Sequence, residues 1–280
     1  MKFLKLPAAV LVASMGFATS ALSATVDTAL SLVIDVSGSV DANEYALQRT
    51  GYVNAFTDAA VRAAILGGDN GGITVNVIQF ADVAAEAIGF VVLDSEAAID
   101  TFVASLSSMS RLAATNPNGG TAFTNIVSGI QLATTTINNW IGSDDGAGGM
   151  FEAVRSVIDV SGDGPQNRPS GLNDAEYAAL LRGARDTACG ASGGIDAING
   201  IAILGSPSFS VDYYKSNLIC GDKSFAIGAS GFDTFGSAIK TKLIAEITGE
   251  NPNEVPLPMP LALMLTGFGG LGLLRKTKKA

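Results

Sequence analysis

Asp35, Ser37 and Ser39 stand at alternate positions in Leu30-Ser-Leu-Val-Ile-Asp-Val-Ser-Gly-Ser-Val40, directly behind an apolar run. Together they offer three hard oxygen donors within a few residues. The chain has 280 residues and no histidine. That removes His-based triads, His metal sites and the commonest general acid–base side chain. An oxygen-only donor set suits a hard divalent cation, Mg²⁺ first and Mn²⁺ or Ca²⁺ as alternatives, better than Zn²⁺. A near-copy of the stretch, Ile158-Asp-Val-Ser-Gly-Asp-Gly164, echoes Ile34-Asp-Val-Ser-Gly-Ser-Val40 and brings Asp159 and Asp163. The flanks of the two copies do not match, so they read as one structural task done twice. A third candidate loop, Gly119-Gly-Thr-Ala-Phe-Thr-Asn125, places Thr121 at or just before a helix start, where its ordinary role would be an N-cap.

These residues need a frame. Apolar runs that end in an acid suit strands buried on both faces of a parallel sheet. Asp41-Ala-Asn-Glu44 has the form of a capping box and opens a helix expected to run to about Leu66. Ile73–Phe80 and Ala84–Leu93 alternate as strands, and their short link predicts a hairpin with one antiparallel edge strand. Helices are expected from about Ser95 to Leu106, through Phe123, Ile126, Ile130, Ala133 and Ile137, and from Asn173 to Ala188. Strands at Ala153–Val160, Ile195–Leu204 and Ser224–Ala229, a short helix at Val211–Asn217 and a helix at Phe232–Ile247 complete the pattern. The alternation predicts one α/β domain: a doubly wound, mostly parallel six-stranded sheet with helices on both faces. With strand order 3-2-1-4-5-6, strands one and four flank the switch point where such sheets bind ligands. Asp35, Ser37, Ser39 and one acid of the second motif would then converge there, with Thr121 reaching in from the neighbouring loop.

The chain resembles a von Willebrand factor type A domain over about residues 25–248. Asp35-Val-Ser-Gly-Ser39 matches that family's Asp-x-Ser-x-Ser metal-ion-dependent adhesion site, Thr121 its metal-loop threonine, and Asp163-Gly164 its aspartate-glycine pair. Within the superfamily it is similar to a bacterial group of secreted proteins of unknown function, through Val157-Ile-Asp-Val-Ser-Gly-Asp-Gly-Pro-Gln-Asn167 and Asn199-Gly-Ile-Ala-Ile203. The resemblance implies a divalent cation held by Asp35, Ser37, Ser39, Thr121 and Asp163, with its last position left for an acidic group of a partner. One departure matters: the family usually has Thr or Ser before the second aspartate, and here Gly162 precedes Asp163. Asp159 is expected inside its strand, as an acceptor behind the ligands.

Outside the domain, residues 1–24 read as a secretory signal peptide, with Lys2 and Lys5 before an apolar middle and small residues at Ala21–Ala24. Residues 249–254 form a linker. From 255 to 280, Val255-Pro-Leu-Pro-Met-Pro260 precedes an apolar stretch and then Arg275-Lys-Thr-Lys-Lys279. Val255, Pro256, Leu257, Pro258 and Arg275 resemble the bacterial PEP-CTERM sorting signal in its Val-Pro-Leu-Pro variant. That implies transient residence in the inner membrane, cutting by an exosortase-type enzyme, and release to the cell surface or matrix; permanent anchoring is the alternative. Leaving out Lys2, Lys5, Arg275, Lys276, Lys278 and Lys279, the chain has 11 basic against 26 acidic residues, a balance of −15. Such acidity excludes nucleic acid as a partner. Export permits a disulfide between Cys189 and Cys220, both expected near the amino-terminal edge of the sheet; two buried thiols are the alternative.

The leading expectation is therefore a non-enzymatic, exported adhesion module that takes a protein or polysaccharide ligand through a divalent ion. A metal-free matrix protein of the same fold is the second reading. A metal-dependent hydrolase is the third, disfavoured by the missing histidine and by the lack of a P-loop lysine or a Gly-x-Ser-x-Gly elbow.

Overall fold

β1 (Ala24–Asp35) is apolar on both faces because it lies at the centre of the sheet, with a parallel neighbour on each side. The computed structural model describes residues 24–250 except Asn118, Gly120, Thr121 and residues 206–208, and also Pro252. The expected leader, Thr121 and the expected carboxy-terminal signal (Val255, Pro256, Leu257, Pro258 and Arg275) lie outside the described residues.

The strands run β3-β2-β1-β4-β5, with β6 and β7 following on the outer edge of β5. β2 (Ile73–Phe80) pairs parallel with β1, and β3 (Ala84–Leu93) pairs antiparallel with β2 as the expected hairpin. β4 (Phe151–Gly162) pairs parallel with the other side of β1, and β5 (Ala197–Ile203) with β4. β7 (Ala226–Ala229) continues the parallel order beside the second half of β5. The six-strand expectation omitted β6 (Cys220–Gly221), a two-residue antiparallel pairing beside the first half of β5. A strand of two residues has no periodicity to read.

Helices cover both faces. α1 (Ala42–Thr57), α2 (Ala59–Leu66), α3 (Glu96–Ser108) and α7 (Phe235–Thr248) pack on one, around Leu32, Ile34, Phe56, Phe102 and Ile239. α4 (Ile126–Trp140), α5 (Asp174–Ala188) and α6 (Val211–Asn217) pack on the other, around Val33, Phe80, Ile130, Ile158 and Leu181. The single helix expected to run to Leu66 is two. Asp58 breaks it in an extended conformation, its carboxylate accepting from Ala60 N at 2.9 Å and from Lys240 Nζ at 2.6 Å. A charged side chain that caps the second helix and pairs with α7 overrides the continuous apolar spacing. The fourth helix starts at Ile126 with Asn125 as its cap, so Phe123 stands before it, partly exposed.

Cys189 at the end of α5 is bonded to Cys220 in β6, with Cα atoms 6.3 Å apart. The bond ties α5 to the sheet edge at the end opposite to Asp35. Among the described residues, no helix is long and apolar enough to cross a membrane.

Candidate cation site

The opening motif sits where β1 stops and the chain turns to α1. Asp35 is the last strand residue and is fully buried, as is Ser37, while Ser39 is exposed. Its Oδ1 accepts the Ser37 amide at 2.7 Å, an Asx-type turn that folds the loop back over the strand end. The hydroxyls of Ser37 and Ser39 then face each other at 3.1 Å. Asp41 ends the loop by capping α1, accepting from Asn43 N and Glu44 N while Glu44 returns a bond to Asp41 N.

Because β1 and β4 are parallel neighbours, with Ile34 beside Ser161, the second motif ends at the same sheet edge. From there β1 leads to α1 on one face and β4 to α5 on the other, which is the switch point expected from the strand order. Ser39 Oγ donates to Asp163 Oδ1 at 2.7 Å, closing a sequence separation of 124 residues. Thr121 is not described. Thr124, from the same loop, is almost fully buried and donates from Oγ1 to Ser37 Oγ at 3.2 Å. The structure thus gathers Asp35, Ser37, Ser39, Asp163 and Thr124, closed at Asp35 and open at Ser39 and Asp163.

Three further residues fix this geometry: Arg111, which carries no sequence pattern of its own, and Gln166 and Asn167, which end the stretch Val157–Asn167. Arg111, from the polar loop after α3, wraps the carbonyl side of the first motif. It donates from Nη1 to Val40 O at 2.9 Å, from Nη2 to Ser37 O at 2.6 Å, and from Nε to Val36 O at 3.1 Å. Asn167 brackets the backbone of Thr124, accepting its amide at 2.7 Å and donating to its carbonyl at 3.0 Å. Gln166 accepts from Val127 N at 3.1 Å and donates to the Asn125 side chain at 3.2 Å. Together they join the β4–α5 loop to the start of α4.

Two carboxylates now share one end of the sheet. Burial first, and the Asp163 charge second, push Asp35 up to about 7; the Ser37 contacts and the Arg111 guanidinium act against this. Burial also raises Asp163, against the Ser39 hydroxyl bond that lowers it. Oδ2 of Asp35 is buried and has no hydrogen-bond partner among the described residues. Among those residues no cluster of three or more Asp, Glu, His or Cys assembles, so the donor set is two acids and a group of hydroxyls. This set fits a hard divalent cation. Positive charge there would relieve the repulsion between the acids, and hydroxyls with few carboxylates leave room for water or a ligand oxygen.

Asp159 takes a different role from the one expected. It lies inside β4 on the face covered by α1 and α7, whereas Asp35 and Gly162 point to the face of α4 and α6, as strand alternation requires. There Lys242 Nζ of α7 stands 2.5 Å from Asp159 Oδ1, at ion-pair distance but off the axis of a hydrogen bond, and also contacts Glu246. All three side chains are fully buried. Asn199 Nδ2 donates to Glu246 at 3.0 Å, and burial and the Asp159 charge push Glu246 up to about 8. Asp159 is thus part of a buried ion cluster that fastens α7 to the sheet.

A sheet of this order, with an Asp-x-Ser-x-Ser turn at its switch point, has a von Willebrand factor A-like α/β fold. The chain belongs to the family of proteins of unknown function DUF1194, whose model matches residues 25–251. No curated protein sequence matches it. Solved structures similar in fold include the following three. One is the mussel byssus proximal thread matrix protein 1 with a zinc-occupied MIDAS motif, at 15% identity and TM-score 0.50, covering 81% of this chain and 49% of that one. The PilB minor pilin of Streptococcus sanguinis is 14% identical at TM-score 0.53, covering 79% and 62%. The SpaC pilus adhesin of Lactobacillus rhamnosus GG is 13% identical at TM-score 0.50, covering 80% and 31%. The chain therefore spans less than two thirds of each of these relatives.

Proposed function

We propose that the protein is an exported, non-enzymatic module that binds a partner through a divalent cation held by Asp35, Ser37, Ser39, Asp163 and the Thr121–Thr124 loop. The observation that carries this reading is the Ser39–Asp163 hydrogen bond, which joins the two echoed motifs into one oxygen cluster open to solvent. The fold is shared with a matrix protein and with pilus proteins, and in the mussel protein a metal-ion-dependent adhesion site holds zinc. Here the donors are hard oxygens only, which favours Mg²⁺ or Mn²⁺. The partner is a protein or polysaccharide that offers a carboxylate to the open side. Sorting through the carboxy-terminal signal, and the exosortase-type enzyme it needs, rest on the sequence alone.

Thermal unfolding with and without cation tests this. A ligand that binds only the folded state stabilises by about 2.7 kcal/mol at a hundredfold excess over its dissociation constant. Millimolar Mg²⁺ or Mn²⁺ should raise the melting temperature of the wild type and leave Asp35→Ala unmoved. Equal melting curves with and without ion would sink the reading, and chelator-insensitive partner capture would favour a metal-free matrix role.

A further inference from the structure

Gly162 and Gly200 lie on adjacent strands, and both face α6. A Cβ on Gly200 would stand 2.6 Å from Cδ2 of Tyr214 and 2.9 Å from Cδ2 of Leu218. A Cβ on Gly162 would stand 2.9 Å from the Tyr214 hydroxyl and 2.9 Å from Asp35 Oδ2. The Tyr214 ring therefore crosses the sheet over β5 and β4, and its hydroxyl arrives beside the carboxylate at the end of β1. Both glycines are needed for that path, since either side chain would occupy it.

The two oxygens that meet over Gly162 are each buried and each lack a hydrogen-bond partner among the described residues. One is a phenol with a proton to give, the other a carboxylate oxygen with lone pairs to fill. Each lies 2.9 Å from one common point, so their separation is no more than about twice that distance, a gap that one water molecule can close. Leaving both unsatisfied would cost the desolvation of two polar groups, which native interiors rarely tolerate. From Oδ1, Asp35 already accepts the Ser37 amide. A donor at Oδ2 would fix the remaining freedom of its carboxylate.

We propose that Tyr214 is a positioning residue of the cation site: its hydroxyl holds one water in the Gly162 gap, and that water donates to Asp35 Oδ2. The proposal rests on the cation reading above for its consequence and on the paired orphan oxygens for its geometry. It also accounts for glycine immediately before Asp163. A side chain there would displace the phenol from the acid it serves.

The test uses Mn²⁺ as probe, followed by calorimetry and by the electron paramagnetic resonance of free ion, on purified protein. Tyr214→Phe removes one oxygen and keeps the ring over Gly200. It should weaken Mn²⁺ binding on the order of tenfold, the scale of losses behind metal ligands. The loss should run through the acid: Tyr214→Phe should lower the melting temperature of the wild type and leave that of Asp35→Ala unmoved, a dependence that a purely structural role of the phenol would not give. Wild-type affinity in Tyr214→Phe, with the fold intact, would overturn the proposal.

Should the wild type itself bind no Mn²⁺, the cation reading fails separately, and the contact is then read without metal. Tyr214→Phe lowers the melting temperature of wild type but not of Asp35→Ala if the hydroxyl serves Asp35. An equal effect in both backgrounds, or none, overturns the assignment.

Discussion

Replacing Lys242 by methionine removes one charge from the interior at nearly constant volume. Its ammonium stands 2.5 Å from Asp159, contacts Glu246, and lies 5.8 Å from the centre of the Phe225 ring, with all three ionisable side chains inaccessible to solvent. Without it, Asp159 is a buried charge facing a second acid. Glu246, raised to about 8 by burial and by Asp159, is already largely protonated at neutral pH, so the charge left without a partner is that of Asp159. Breaking a buried pair by removing one partner costs roughly 3–5 kcal/mol, because the other charge is left uncompensated. For a domain of this length each kcal/mol moves the melting temperature by roughly 2–4 °C, so Lys242→Met should melt about 6–20 °C lower. Urea unfolding gives the free energy, and Lys242→Met/Asp159→Asn should recover a substantial part by neutralising the stranded acid. A loss below about 1 kcal/mol, or the same loss in the Asp159→Asn background, would refute the claim that this cluster holds α7 to the sheet.

Three further outcomes follow from single contacts. Glu246 has its folded-state pKa raised from 4.5 to about 8, so its contribution to stability is present in full below 4.5 and is lost as pH rises through about 8. Glu246→Gln should flatten that part of the pH–stability curve, by up to about 1.4 kcal/mol per pH unit, and identical curves would contradict the assignment. Reducing Cys189–Cys220, which are separated by 31 residues, should cost about 3–4 kcal/mol by the loop-entropy estimate, measured as a urea midpoint with and without reductant. Arg111→Ala should loosen the first motif by freeing the carbonyls of Val36, Ser37 and Val40, seen as faster amide exchange at residues 37–40. Unchanged exchange there would show that the loop does not depend on the guanidinium.

Much of the frame could be read from the chain because its signals are local. The bounds of β2 and β3 follow from alternation and a two-sided turn, α6 and α5 from their flanking polar residues, and the capping box of α1 from four consecutive residues. The gathering of Asp35, Ser37, Ser39 and Asp163 followed from strand order, since parallel neighbours end at one edge. What stayed hidden depends on partners distant in sequence. Asp58 divides a continuous apolar pattern because Lys240 of α7 stands beside it. Asp159, the positional echo of Asp35, differs from it because the strand turns it to the other face, where Lys242 waits. Arg111 lies in a loop without periodicity, and Thr124 was hidden behind Thr121 although Thr-Ala-Phe-Thr offers two hydroxyls. Tyr214 could be found only once Gly162 and Gly200 were seen to clear its path.

The central claim is that the two echoed motifs form one cation site. Crystals of the protein grown with Mn²⁺, with diffraction data collected at the manganese edge, test it most directly. The account predicts one anomalous peak at the carboxyl end of β1 and β4, within about 2.0–2.6 Å of oxygens from Ser37, Ser39 or Asp163, and absent in Asp35→Ala. No peak there at saturating Mn²⁺, or a peak held by other residues, would contradict it.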